Sequence, residues 1–181
     1  YLLSFMIPIL LILSYIFLYK IKFTDFFISD LKEQYSFIFD YYKEILNGNQ
    51  SILYSFSNGL GGSMYGTFFY YLSSPLNLLL ILFSNNYLYI GIVILILLKI
   101  GLSGLTMYYY LSKTNNNSSI INLTFSCCYA LMSYNILYYF NVIWLDVVYL
   151  TPLVILGVDE IIKNKKSKKY ILFLVLSIIS N

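Results

Sequence analysis

The chain alternates long apolar blocks with shorter polar ones, and the lengths of the apolar blocks predict membrane-spanning helices. A helix that crosses a hydrocarbon core about 30 Å thick needs roughly 20 mostly apolar residues. The blocks 2–19, 87–111, 119–140 and 146–162 meet or approach that length, and 170–181 begins a further span. We therefore predict an all-α fold, a polytopic transmembrane helical bundle. Since the chain starts without Met and stops within an apolar run, we expect an N-terminal fragment of a longer protein.

The apolar block 67–84 has a different pattern. Ser73, Ser74 and Pro75 interrupt it, and hydroxyl residues followed by Pro are typical of a helix start. The apolar run after Pro75 allows only about 12–15 Å of helix, roughly half of the hydrocarbon core. We therefore predict that 67–84 is interfacial or re-entrant. If it crossed the membrane instead, the polar loop before it would be cytoplasmic.

The polar loop 20–66 holds five of the eight acidic residues of the chain: Asp25, Asp30, Glu33, Asp40 and Glu44. Within it, apolar residues of the stretch 31–46 recur at helical spacing. This pattern predicts an amphipathic helix that lies on the membrane surface. An ordinary helix packed against another part of the protein is the alternative.

Lysine positions predict the orientation of the chain. Five lysines lie between the blocks 146–162 and 170–181: Lys163, Lys165, Lys166, Lys168 and Lys169. Short cytoplasmic loops carry an excess of basic residues. Counting the predicted spans back from this loop places the segment 20–66 on the extracytoplasmic side, provided that 67–84 does not cross.

Composition narrows the class of protein and its chemistry. Apolar residues make up 60% of the chain and charged residues 10%, against roughly 45–50% and 25% in soluble domains. There is no His or Arg, so a carboxylate is the obvious general base and all cations are Lys. The neighbouring Cys127 and Cys128 fit neither a disulfide framework nor a zinc site. The glycine-rich stretch 57–63 lacks the Gly-Lys-Ser/Thr of a phosphate loop, so we predict no nucleotide site and no nucleic-acid partner.

Asp30 is the leading candidate for a catalytic group. It precedes the predicted amphipathic helix, where its carboxylate could act as a general base at the outer membrane surface. Asp30 followed by Glu33 also fits the start of a capped helix, and the two roles can coexist. Asp25 is the alternative carboxylate.

Lys99 and Asp146 are the polar candidates within the apolar blocks. Lys99 lies about 17 Å along the span 87–111 by helix rise, near the membrane midplane, where a Lys costs about 3 kcal/mol. It is expected either to bind phosphate or to form a structural ion pair. Trp144 precedes Asp146 in a predicted outer turn and is typical of an interface anchor. Asp146 is expected to face the same outer cleft as Asp30.

Several strings, taken in order, resemble the YfhO family of bacterial membrane proteins. They are the stretches 30–35, 59–62, 70–77, 98–108 and 144–146. The resemblance implies a GT-C-type glycosyltransferase architecture, in which an acidic residue of the first extracytoplasmic loop takes part in catalysis. It also implies a multi-pass protein of the bacterial cell membrane.

On this resemblance the substrates are a polyprenyl-phosphate-linked sugar and a cell-envelope polymer such as teichoic acid, and the protein lies in a lipid bilayer. Asp30 matches the loop carboxylate, Gln34 and Tyr35 shape the site, and Lys99 offsets the carrier phosphate. A divalent metal on Asp30 or Asp146 is left open. Two other functions stay open: a transporter or lipid flippase, suggested by Lys99 and the half-helix at Pro75, and a non-catalytic membrane assembly subunit.

Overall fold

A computed structural model describes residues 1–57, 59–115 and 117–180, and the regular secondary structure of this part of the chain is nearly all helix. The long helices are α1 (Leu2–Leu18), α2 (Ser36–Leu46), α4 (Leu88–Thr114), α5 (Ser119–Ala130), α7 (Trp144–Asn164) and α8 (Lys168–Ile179), and the short ones are α3 (Tyr65–Thr67) and α6 (Ser133–Leu137). Strands β1 (Tyr54–Ser55) and β2 (Gly62–Ser63) form an antiparallel hairpin. Two π-helical turns (Leu31–Tyr35, Phe68–Leu72) and three 3₁₀ helices (Phe23–Phe26, Pro75–Leu82, Asn85–Tyr87) complete the order.

Helix α4 is the centre of the molecule. It packs against α1, α5 and α7, and α8 packs against the outer side of α7. Together with the 3₁₀ turn before it, α4 forms one helix, Asn85–Thr114, whose most apolar stretch is 67% buried, against 22% for Ser119–Leu137. These two are the helices of the described chain that are long and apolar enough to cross a membrane. At 17 residues, α1 is shorter.

Gly104 allows α1 and α4 to approach closely. A Cβ at this position would lie 2.2 Å from the backbone oxygen of Ser4 and 3.3 Å from the Cβ of Ala130. Helices in membrane proteins use small residues at such contacts because backbone packing replaces the hydrophobic driving force available in water. The small residues in the stretch 98–108 therefore have a packing role.

The stretch 31–46 forms one helical segment that packs inside the protein. One buried apolar cluster contains side chains from this segment and from the segment 68–82. They are Leu31, Tyr35, Phe39, Tyr42, Leu72 and Leu80. The apolar face of this helix therefore packs against the segment 68–82. Whether the segment also lies on the membrane surface stays a prediction.

Lys43 is a buried lysine of α2. It is 5% exposed, and its Nζ donates to the carbonyl oxygens of Leu80 at 3.1 Å and Ile81 at 2.6 Å. These carbonyls end the 3₁₀ helix Pro75–Leu82, where a positive charge is favourable. The lysine therefore joins α2 to the end of that helix.

The block 67–84 is a broken helix. The π turn Phe68–Leu72 stops before Ser73, and the 3₁₀ helix Pro75–Leu82 begins after it. Eight residues at the 3₁₀ rise of about 2.0 Å cover roughly 16 Å, about half of a hydrocarbon core. The block 119–140 contains two helices, because α5 ends at Ala130 and α6 covers Ser133–Leu137.

Candidate functional site

Lys99 and Asp146 form a buried ion pair between α4 and α7. The Lys99 Nζ donates to Asp146 Oδ2 at 2.6 Å and to the carbonyl oxygen of Val142 at 3.0 Å, and the two side chains are 1% and 0% exposed. Asp146 lies in the first turn of α7, where the positive end of the helix dipole stabilises a carboxylate. The charge of Lys99 is therefore neutralised inside the protein, as in the structural ion pair that the sequence left open.

The Lys99–Asp146 pair also locates the start of α7 relative to α4. Lys99 lies about 17 Å from the start of α4 by helix rise, so the first turn of α7 sits beside the middle of α4. Asn141, Val142 and Ile143, which lead into α7, are buried. Asp146 consequently lies inside the bundle, and its complete burial means that it does not face an open cleft with Asp30.

The break at Ser73–Pro75 is tied to the ion pair. Ser74 is 2% exposed and donates its hydroxyl to Asp146 Oδ1 at 3.0 Å. Asn77 Nδ2 donates to the carbonyl oxygens of Tyr71 and Leu72 at 3.3 Å each. The stretch 70–77 thus connects the broken helix to α7 through Ser74 and Asp146, and to α4 through the Asp146–Lys99 pair.

Asp30 carries an exposed carboxylate at the start of the helical segment. Its backbone is already helical (φ −58°, ψ −31°), and its side chain makes no capping hydrogen bond. The preceding Ser29 has φ +46°, a left-handed conformation that is uncommon for Ser. The π turn Leu31–Tyr35 follows at once, and π turns often occur at functional sites. The carboxylate is therefore free for another role, with an irregular backbone on both sides.

A group of tyrosines lies within electrostatic reach of the Asp30 carboxylate. The rings of Tyr35 and Tyr71 meet edge to face at 5.4 Å between centroids, and Tyr70 meets Tyr71 at 4.6 Å. Burial, the phenols of Tyr71 and Tyr70, and the Asp30 carboxylate all raise the pKa of Tyr35. Burial, Tyr70 and Asp30 likewise raise the pKa of Tyr71. Both phenols therefore stay neutral and can donate a proton to a hydrogen bond.

The two predicted neighbours of Asp30 have different surroundings. Tyr35 is 4% exposed, so it supports the site from within the protein rather than lining it. Gln34 is exposed and lines a cavity of about 670 Å³. The walls of this cavity, which we name the α2 cavity, are formed by Gln34, Phe37, Ile38, Asp40, Tyr41, Glu44, Ser55, Ser57, Met64, Thr67, Tyr71 and Asn85. Tyr71 thus connects the α2 cavity with the surroundings of Asp30.

The two carboxylates of the α2 cavity differ in their hydrogen bonds. Glu44 accepts from Asn49 Nδ2 at 2.8 Å and from Asn85 Nδ2 at 2.7 Å, and these bonds lower its pKa. Partial burial of the carboxylate and the neighbouring Glu44 raise the pKa of Asp40. Glu44 is therefore held in its ionised form, whereas Asp40 is the more basic of the two.

Asp25 has a local structural role. Its Oδ2 accepts from the backbone N–H of Lys22 at 2.9 Å, which closes the 3₁₀ turn Phe23–Phe26. It also lines an apolar groove of about 420 Å³ between α1, α4 and the stretch 131–139. Asn135 lines the same groove, and its Oδ1 is buried without a hydrogen-bond partner in the described structure.

Metal ligands are not gathered in the described part of the chain, where no three or more Cys, Asp or Glu side chains form a group suited to a metal ion. Asp146 already accepts from Lys99 and Ser74, whereas Asp30 is exposed. A divalent metal on Asp30 or on Asp146 stays a prediction.

The structure brings the predicted residues together in two places rather than one. Asp30, Gln34 and Tyr35 belong to the segment 20–66, while Lys99 and Asp146 belong to α4 and α7. Sequence reasoning missed Ser74 as the partner of Asp146 and Lys43 as a buried cation. The signal for Ser74 was present, because a hydroxyl next to Pro75 interrupts an apolar block.

Comparison with known proteins gives one match. The profile of the family described as "Bacterial membrane protein YfhO" matches residues 4–181. No curated protein and no solved structure matches the chain.

Proposed function

Because this chain belongs to the YfhO family of bacterial membrane proteins, we propose that it is part of a multi-pass, GT-C-type glycosyltransferase. The enzyme transfers a sugar from a polyprenyl-phosphate carrier to a cell-envelope polymer such as teichoic acid. The observation that carries this proposal is the Asp30 carboxylate, which is exposed and makes no capping bond, and whose charge reaches the phenols of Tyr35 and Tyr71. A free carboxylate in this setting is suited to take a proton from an acceptor.

The reaction we propose has Asp30 as its general base. An acceptor hydroxyl oxygen attacks the anomeric carbon of the carrier-linked sugar, and its proton passes to the Asp30 carboxylate. The bond between the anomeric carbon and the carrier phosphate breaks, and its electron pair leaves with the phosphate. Gln34, exposed at the α2 cavity, orients a substrate hydroxyl, and Tyr35 holds the tyrosine group in place behind Asp30.

Lys99 and Asp146 act in this proposal as a positioning pair. Both are buried and bonded to each other, so contact between Lys99 and a carrier phosphate would require the pair to open. Through Ser74 the pair fixes the broken helix that carries Tyr70 and Tyr71 beside Asp30. The pair therefore supports the site from a distance, and a direct role of Lys99 with phosphate stays a prediction.

The proposed topology places Asp30 outside the cytoplasm. Helices α1, α4, α7, α8 and the segment 119–137 are taken as spans, with the lysine-rich loop 163–169 in the cytoplasm. The broken helix 68–82 is interfacial or re-entrant, which its short length supports.

A transport function was the main alternative, and its motivation is weaker in the folded chain. A mid-membrane lysine suggests a transport site when it can meet a substrate. Lys99 instead has Asp146 and the Val142 carbonyl as partners. The neutralised pair favours a structural role, and so the enzyme is the better proposal.

The experiment that tests the proposal uses the full-length protein in lipid nanodiscs with a polyprenyl-phosphate sugar and a polymer acceptor. Asp30→Asn should lower kcat at least about 100-fold, because general-base catalysis contributes typically 10²–10⁴-fold. Asp25→Asn is the matched control and should stay within a few-fold of the wild type. Wild-type activity in Asp30→Asn would overturn the proposed base, and no sugar transfer by the wild type would overturn the proposed reaction.

A further inference from the structure

We propose that the α2 cavity binds a neutral, hydroxyl-rich unit, either a sugar or a polyol. As a substrate site this inference rests on the proposed function, whereas binding itself can be measured without any transfer. At about 670 Å³ the cavity falls within the range of about 300–1,000 Å³ typical of small-molecule sites. Gln34, which lines the cavity, follows Asp30 by four residues on the same helical segment, so the cavity and the proposed base lie about one helical turn apart.

Aromatic rings give the cavity apolar platforms. Phe37 is 68% exposed although it lies on a packed helix, and it lines the cavity together with Tyr41 and Tyr71. The Tyr41 hydroxyl donates to the carbonyl oxygen of Ser51 at 2.9 Å, which fixes its ring. The face of an aromatic ring is electron-rich and attracts the polarised C–H groups of a sugar or polyol. An exposed Phe in this place is thus explained by a ligand that has both C–H and O–H groups.

Polar side chains supply hydrogen bonds in both directions. Asp40 accepts no hydrogen bond from the described residues, so its carboxylate is available to ligand hydroxyls. Gln34 has both an amide donor and a carbonyl acceptor. Glu44 and Asn85 are already bonded to each other at 2.7 Å and form a fixed edge of the cavity. Hydroxyl groups both donate and accept, which matches this set.

The charge of the cavity selects against anions. Asp40 and Glu44 line it, and no lysine is among its described lining residues. Lys43 lies on the same helix but turns away, because its Nζ is bonded to the carbonyls of Leu80 and Ile81. A phosphate group would meet two carboxylates without a compensating cation. The ligand is therefore a neutral unit, and a carrier phosphate must lie elsewhere.

The hairpin wall of the cavity is preformed. Gly61 has φ +110°, and a Cβ there would lie 2.3 Å from the Tyr54 hydroxyl. Since β1 and β2 pair Ser55 with Gly62, this tight turn sets the position of Ser55, which is 3% exposed and lines the cavity. A wall that is already ordered without ligand lowers the free-energy cost of ordering the site on binding.

Saturation-transfer NMR on the full-length protein tests this inference. The protein is held in lipid nanodiscs, because glycoside detergents would compete. The neutral probes are methyl α-glucoside and ribitol, and the anionic probe is glucose 1-phosphate. We expect saturation transfer to the neutral probes and at least about tenfold weaker binding of the phosphate, since it faces two carboxylates. Equal binding of neutral and anionic probes would overturn the inference.

Three variants locate the binding. Phe37→Ala should weaken the neutral probes about tenfold by removing a platform. Phe56→Ala is the matched control, because Phe56 is 82% exposed and does not line the cavity. Asp40→Asn should weaken binding of the neutral probes. It should also reduce the ratio between their affinity and the affinity for glucose 1-phosphate. Equal effects of Phe37→Ala and Phe56→Ala, at unchanged melting temperature, would place the binding outside the α2 cavity and overturn the assignment.

Competition identifies the source of the neutral unit. If a polyprenyl-phosphate sugar in the nanodisc displaces methyl α-glucoside, the cavity holds the donor sugar; if polymer fragments displace ribitol, it holds the acceptor. Displacement by neither would overturn its role as a substrate site. Sugar transfer without probe binding would refute this inference and leave the proposed function intact. Probe binding without sugar transfer would refute the proposed function and leave binding at the α2 cavity intact.

Discussion

At the scale of single residues, the charged side chains of this chain have two different roles. Lys99, Asp146 and Lys43 are buried and satisfied by other parts of the protein. Asp30 and Asp40 are exposed carboxylates without a partner of opposite charge. The first set holds elements together, and the second set is available to a ligand.

Removing one partner of the buried pair should be more harmful than removing both. Lys99→Met leaves Asp146 as an uncompensated buried charge, and we expect a loss of about 3–5 kcal/mol of stability. The double variant Lys99→Met/Asp146→Leu should recover much of this loss, because neither charge remains. Denaturant unfolding in nanodiscs measures both values. Lys113→Met, on the exposed end of α4, is the control and should change little; a double variant as unstable as Lys99→Met would contradict the account.

Glu44 predicts a pH dependence. Its bonds from Asn49 and Asn85 lower its folded-state pKa, so it contributes stability above the ordinary Glu value of about 4.3, and this is lost as pH falls through the lowered pKa. Asn85→Ala removes one donor and should move the Glu44 pKa up towards its ordinary value. Carboxyl ¹³C NMR titration measures the shift. Asn47→Ala should leave it unchanged, and an unmoved pKa in Asn85→Ala would show that this bond is absent.

At the scale of secondary-structure elements, close helix contacts decide how the bundle is built. Gly104 should not tolerate a side chain, because an added Cβ would lie 2.2 Å from the Ser4 carbonyl oxygen. We expect Gly104→Ala to cost about 1–3 kcal/mol through overpacking. Gly66→Ala, which has no neighbour within 4 Å of its added Cβ, should be nearly neutral. Equal melting temperatures for the two variants would contradict the close contact between α1 and α4.

The long elements follow from the sequence, and the short ones depend on tertiary contacts. The predicted block 87–111 corresponds to helix α4, which begins one residue later than the block begins and ends three residues later than the block ends. Apolar length alone specifies such a helix. Lys43 could not be placed by periodicity, since its partners are carbonyls 37 and 38 residues away. Lys99 was identified from its cost in an apolar span, but its partner lies 47 residues along the chain and no local pattern names it.

At the scale of the whole molecule, the proposal depends on which side of the membrane carries the segment 20–66. In a chain with Cys127 and Cys128 replaced by Ser, Lys32→Cys should react with an impermeant thiol reagent added to intact cells. Lys166→Cys, in the lysine-rich loop, should react only after permeabilisation, because the proposed topology places that loop in the cytoplasm. The reverse pattern would place Asp30 in the cytoplasm and remove the basis of the proposed reaction.

The central claim is that the exposed Asp30 carboxylate is the base of a sugar transfer outside the cytoplasm. Its most direct test is the sugar content of the envelope polymer in cells whose only copy of the full-length protein carries Asp30→Asn, compared with cells that carry Asp25→Asn, at equal membrane levels. The account predicts that the polymer loses its sugar with Asp30→Asn and keeps it with Asp25→Asn. Normal sugar content in the Asp30→Asn cells would contradict it.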